Sequence, residues 1–243
     1  MPERHAVILG SGFSDYVAHS PSEQRGTPYG DPSGAIHTLT IGGQQVFGLL
    51  RHGAGHVIPA HAVNYRANIA ALAELKVRAI IAFNTVGVIG AAGECGHLAL
   101  PDQLLDYTWG REQTYFTGSA AGVRHLDFTE PFAEALREQL LTAASRAGIR
   151  CKNGGVYAVT QGPRLETAAE VDRLERDGAS FIGMTAMPEA ILAAELDIAY
   201  VCLALIVNQA AGRGSKPIHD DVEANTASAR TEALALVESF FAG

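Results

Sequence analysis

Short apolar runs at residues 6–9, 46–50, 78–83, 155–160, 180–183 and 198–207 have the length of strands, and glycine bounds several of them. Between them, residues 64–76, 130–147, 166–177 and 188–196 carry apolar side chains at spacings of three and four, and residues 221–241 repeat that spacing to close the chain. These five segments predict helices. Helices interleaved with strands imply a mainly parallel sheet covered on both faces. Residues 36–41 and 45–50 flank Gly42-Gly43, a two-residue hairpin signal, so the sheet is expected to be mixed. No repeat or low-complexity segment interrupts the pattern, and residues 1–243 are read as a single α/β domain.

Composition narrows the possible partners. The formal net charge is −8, which provides no basic footprint for a nucleic acid, so any anion site has to be local. Hydrophobic residues make up 47% and charged residues 18%, an ordinary globular balance. Cys95, Cys151 and Cys202 are too few and too scattered for a disulfide framework and fit a reducing compartment. The apolar stretch at residues 6–9 is too short for a secretion signal, and residues 198–207 are half of the ~20 a membrane helix needs. The expectation is a cytosolic protein with no membrane or nucleic-acid partner.

The candidate chemistry falls where strands end, the place at which open α/β sheets collect ligands. The first strand runs into Gly10-Ser11-Gly12, a small-residue turn in which backbone N–H groups and a hydroxyl can approach an oxyanion. Alone, such a turn is more often a tight strand exit. Arg51-His52-Gly53-Ala54-Gly55-His56 follows a buried strand and leads to His61 and a helix beginning near Asn64. So much cation and imidazole next to a core costs desolvation, although a solvated loop is the plain alternative. A metal site is disfavoured because glycines and Pro59 break any helix that would align these histidines, and no carboxylate or cysteine lies in the segment. Glu166 is expected in the opening turn of a helix, where a carboxylate suits the macrodipole. Asn208 ends the most apolar strand, and its amide needs partners, either in the next loop or on a ligand.

In this order, Gly-Ser-Gly at 10–12, Arg51-His52-Gly53, Val63-Asn64-Tyr65, the run from Gly162 to Glu170, and Gly183-Met184-Thr185 with Pro188-Glu189 resemble the purine nucleoside phosphorylase and methylthioadenosine phosphorylase family, in its trimeric type. The likeness extends from residue 5 to about residue 240 and is nearest to the bacterial methylthioinosine phosphorylases. It implies a twisted mixed sheet surrounded by helices and the splitting of a purine nucleoside by inorganic phosphate. Phosphate is then a co-substrate, with no cofactor and no metal. It also implies phosphate bound by Ser11, Arg51, His52, Thr85 and Thr185, Met184 beneath the ribose, and a homotrimer in which His125 crosses to a neighbour's pocket.

By the same resemblance, Asn208 stabilises the departing purine at N7 and faces O6, where the adenine-cleaving branch has an aspartate. Glu166 accepts N1–H of a 6-oxopurine but would face a lone pair on adenine. Each mismatch leaves a buried polar group unpaired at roughly 1–3 kcal/mol, so a 6-oxopurine is expected. His219, near the start of the last helix, matches relatives that read a 5′-hydroxyl, and an ordinary helix-start residue is the equal alternative. The loop at 212–217 is a candidate lid. Departures are Thr85-Val86 in place of a smaller pair, Leu165 where an aromatic ring commonly stacks, and Gln209 where a lysine often stands. Competing readings are a methylthioadenosine phosphorylase, a hydrolytic nucleosidase, which Arg51 and His52 disfavour, and a non-catalytic nucleoside- or pigment-binding protein. A nicotinamide oxidoreductase is weaker, because Asp15 stands where the dinucleotide fingerprint needs its third glycine.

Overall fold

The computed structural model describes residues 3–118 and 122–243. Its strands are β1 (Arg4–Leu9), β2 (Ser22–Glu23), β3 (Ile36–Ile41), β4 (Gln44–Leu50), β5 (Val77–Val88), β6 (Leu98–Leu100), β7 (Gln103–Asp106), β8 (Cys151–Asn153), β9 (Val156–Val159), β10 (Phe181–Gly183) and β11 (Ala199–Gln209). The helices are α1 (Ser14–Val17), α2 (Tyr65–Glu74), α3 (Glu134–Arg146), α4 (Ala168–Arg176), α5 (Ala186–Glu195) and α6 (Ile218–Phe241). The result is an α/β fold built on one mixed, mostly parallel sheet.

The sheet is organised around β5, which pairs in parallel with β1 on one side and β11 on the other. Both long strands are apolar on both faces, as a covered parallel sheet requires. Ile80, Ala82, Cys202 and Ala204 turn to the layer that packs with Ile69 of α2 and Ala190 of α5. Ile81, Phe83, Val201 and Leu203 turn to the opposite layer, with Leu140 of α3 and Leu236 of α6. The predicted hairpin is present: β3 and β4 pair antiparallel with Ile41 opposite Gln44, and Gly42 and Gly43 both take the positive φ that the tight turn needs.

A discontinuity along β5 makes room for a site. β1 pairs with β5 only as far as Ile8 opposite Ala82, and the antiparallel β10 begins to pair at Ile182 opposite Gly87. Between those points, among the described residues, residues 83–86 have no strand beside them on that edge. On the other edge, the register of β11 slips between Ile206 and Asn208, a bulge that sets Asn208 opposite Gly87.

Several element limits differ from the sequence reading. The helix expected from residue 130 starts at Glu134, after Pro131, and the last helix starts at Ile218 rather than 221. The helix expected from 166 starts at Ala168, because Thr167 takes the N-cap position and forms a capping box with Glu170. Glu166 therefore lies before the helix, not in its opening turn.

Candidate active site

A cavity of about 480 Å³ opens at the gap along β5. Ser11, Arg51, His52, Thr85, Met184, Thr185, Glu166 and Asn208, which lie far apart in the sequence, all line it. The turn after β1 is glycine for a steric reason. A Cβ on Gly10 would lie 2.6 Å from the Phe83 carbonyl oxygen and 3.1 Å from Arg51 Nη1, so the glycine is what lets Arg51 cross to β5.

Arg51 is fully buried. Its Nε and Nη2 donate to the two carboxylate oxygens of Glu189 at 2.7 and 2.8 Å, and Nη1 donates to the Phe83 carbonyl at 2.8 Å. Tyr200 adds a hydroxyl donor to Glu189 at 2.8 Å. Burial opposes the guanidinium charge, but Glu189 outweighs it and holds the group above its ordinary range. The fork-to-fork pair leaves Arg51 two N–H donors beyond those three bonds.

His52 behaves oppositely. Its Nδ1 is 2.9 Å from the Ile58 carbonyl, which can only accept, so Nδ1 carries the proton. Burial, then the neighbouring Arg51 charge, lower its pKa to about 4 against the pull of the Ile58 bond. At neutral pH the ring is uncharged with a bare Nε2, and it stacks on His56 at 4.3 Å between centroids.

Thr185 occupies the N-cap position of α5 without capping it through its side chain. Instead its Oγ1 accepts from Asn84 Nδ2 at 2.7 Å. Met184 lies over Gly162, where an added Cβ would sit 2.5 Å from its sulfur. Glu166 accepts from the Thr160 hydroxyl at 2.6 Å. Asn208 is 9% exposed, and its Nδ2 donates to the Gln209 carbonyl at 2.7 Å, leaving one amide hydrogen and the amide oxygen.

Two predicted residues stand apart. His219 is exposed in the first turn of α6, and the wall there is made by Ile218, Val222 and Thr226. His125 is exposed and outside the lining of this chain's own cavity. The sequence reading missed Arg111, whose guanidinium donates to the carbonyls of Met184, Met187 and Gln161 at 2.7–2.8 Å and so ties two cavity-lining turns together. Nothing near Arg111 in sequence signals this, because it lies in an irregular segment. Among the described residues, no cluster of three or more His, Cys, Asp or Glu side chains could hold a metal, and no helix is long and apolar enough to cross a membrane.

A probable S-methyl-5′-thioinosine phosphorylase of Pseudomonas syringae pv. tomato is 48% identical over 216 residues, 88% of each chain. A 6-oxopurine nucleoside phosphorylase of Pyrococcus furiosus is 42% identical over 226 residues, covering 90% of this chain and 84% of its own. Among solved structures, methylthioadenosine phosphorylase of Schistosoma mansoni in complex with tubercidin superposes with a TM-score of 0.90 at 28% identity, over 99% of this chain and 91% of that one. The sequence profile of the Phosphorylase superfamily matches residues 4–242. Fold and profile agree over nearly the whole chain, and the chain belongs to the Phosphorylase superfamily.

Proposed function

We propose that this protein is a pentosyltransferase that cleaves 6-oxopurine nucleosides with inorganic phosphate, releasing the base and a sugar 1-phosphate. The observation that carries the reading is that one cavity is lined by Ser11, Arg51, His52, Thr85 and Thr185, the residues proposed to take the anion, and by a carboxylate and an amide, Glu166 and Asn208. Phosphate takes the free donors of Arg51 and the hydroxyls of Ser11 and Thr185, and a protonated phosphate oxygen donates to His52 Nε2. It attacks C1′ of a ribose lying over Met184 as the sugar acquires oxocarbenium character. The departing purine gains negative charge, which Asn208 stabilises by donating to N7, while Glu166 accepts N1–H.

The wall of Ile218 and Val222 favours an apolar 5′ substituent, so 5′-methylthioinosine is the preferred substrate over inosine. The same reading makes phosphate the co-substrate and needs no cofactor or metal. It makes the enzyme a cytosolic homotrimer in which His125 completes a neighbour's pocket. The exposure of His125 beside the large apolar Val123, 73% exposed, supports that arrangement.

The test is product formation from 5′-methylthioinosine, inosine, 5′-methylthioadenosine and adenosine, each with and without phosphate. Phosphate-dependent hypoxanthine release, fastest from the methylthio substrate, is expected. Asn208→Asp should move preference toward 6-aminopurines. Adenine as the main product of the unaltered enzyme, or unchanged base preference in Asn208→Asp, would overturn the base assignment.

A further inference from the structure

Asn84 is an amide in the middle of β5, 1% exposed, on the sheet face that otherwise carries Ala82, Val86, Cys202 and Ala204. An apolar side chain would serve packing there without needing hydrogen-bond partners. Both of its polar atoms are engaged. The amide nitrogen donates to Thr185 Oγ1 at 2.7 Å, 101 residues away, and the amide oxygen accepts from the Cys202 thiol at 3.3 Å, 118 residues away.

Direction matters in this chain. A hydroxyl has one hydrogen and two lone pairs, so an oxygen that accepts from Asn84 keeps its hydrogen for another partner. The helix makes no competing claim on that oxygen. A threonine N-cap normally accepts from the second or third helical N–H, but the third helical residue of α5 is Pro188, which has none, and no side-chain cap bond forms. Thr185 is 7% exposed and lines the cavity. The thiol is matched to this orientation, with its S–H donating to the amide oxygen. Cys202 is fully buried, burial pushes its pKa up, and it keeps its proton as a donor. With the amide reversed, Thr185 would have to donate to Asn84 and would show the cavity only lone pairs, which repel an anion.

We propose that Asn84, oriented by Cys202, is a positioning residue that holds the Thr185 hydroxyl with its hydrogen turned into the cavity, toward the entering phosphate. The inference rests on the assignment of Thr185 to phosphate made above. It distinguishes a hydroxyl that is merely near the anion from one whose donor direction is fixed before the anion arrives.

Steady-state kinetics with phosphate and 5′-methylthioinosine varied separately test it, with thermal unfolding alongside. Thr185→Val should raise the phosphate KM about tenfold, the equivalent of about 1.4 kcal/mol. Asn84→Leu should raise it comparably, and the double variant should be no worse than Thr185→Val alone, because both remove one directed donor. Cys202→Ala should raise the phosphate KM a few-fold, and Cys202→Ser, which restores an O–H donor, should bring it back. The nucleoside KM should hold within about twofold throughout, since one hydrogen bond to the anion is at stake. An additive double variant, equal rises in both KM values, or a Cys202→Ser no better than Cys202→Ala would overturn the chain. The cysteine pair decides the matter if Asn84→Leu does not fold. If Thr185→Val leaves the phosphate KM unmoved, the assignment of Thr185 to phosphate has failed; if only Asn84→Leu and the cysteine variants do so, the positioning role alone has failed.

Discussion

Arg51 and His52 are neighbours in sequence, and the fold gives them opposite charge states. The arginine keeps its charge because Glu189 meets it with two bonds, whereas the histidine loses its own to burial and to that same arginine. A pH prediction follows for His52. Well above pH 6.5 neither the folded nor the unfolded chain protonates it. As pH falls below 6.5 the unfolded chain takes up a proton that the folded ring refuses until about pH 4, so folding stability declines across that window and the loss levels off at about 3 kcal/mol. Urea unfolding at intervals from pH 7 to 4, compared with His52→Gln, isolates the contribution, since His37 and His56, also lowered, stay in both proteins. Equal pH slopes for the two proteins would show that His52 titrates normally. At this scale the sequence was partly legible. A cation and an imidazole after a buried strand stood out, but the arginine's partner Glu189 did not, because pairing across 138 residues leaves no local trace.

The elements around the cavity do more by where they begin than by what they contain. Thr167 and Glu170 cap α4 reciprocally, at 3.2 Å from the Glu170 N–H to the threonine hydroxyl and 2.7 Å from the Thr167 N–H to the carboxylate. Glu170 is held at a pKa of about 2, chiefly by Arg164 and then by the Thr167 N–H. The cap fixes the backbone one residue after Glu166. Thr167→Ala should cost about 1 kcal/mol of stability and raise the nucleoside KM while leaving the phosphate KM in place. Loss of stability with both KM values unchanged would show that Glu166 is positioned independently of the helix. The reading from sequence put Glu166 inside the helix because apolar spacing marks a helix face and not its first residue, whereas the cap rests on side-chain hydrogen bonds. The same limit explains His219. The last helix begins three residues earlier than its spacing indicated, and that start is what brings Ile218 and Val222 to the wall.

Across the whole molecule, alternation of strands and helices was enough to anticipate a mixed, mainly parallel sheet with both faces covered. It could not anticipate that β10 runs antiparallel to β5 and stops short of β1, since strands of three residues carry too little pattern to reveal their partners. Yet that interruption is where the cavity opens. The buried Arg51–Glu189 pair has a consequence there for ionic strength. The pair is neutral as a unit, His52 is uncharged, and the chain as a whole carries −8. On the proposed assignment of this cavity to phosphate, the incoming anion is met by directed N–H and O–H groups and not by a net positive field, and the long-range field it crosses is repulsive. Added inert salt should leave the phosphate KM flat or lower it, by screening that repulsion. A KM that climbs steeply with salt would reveal an uncompensated cation at the cavity mouth. On that assignment the hold on phosphate comes from geometry at contact, so a salty cell should not weaken it relative to dilute buffer.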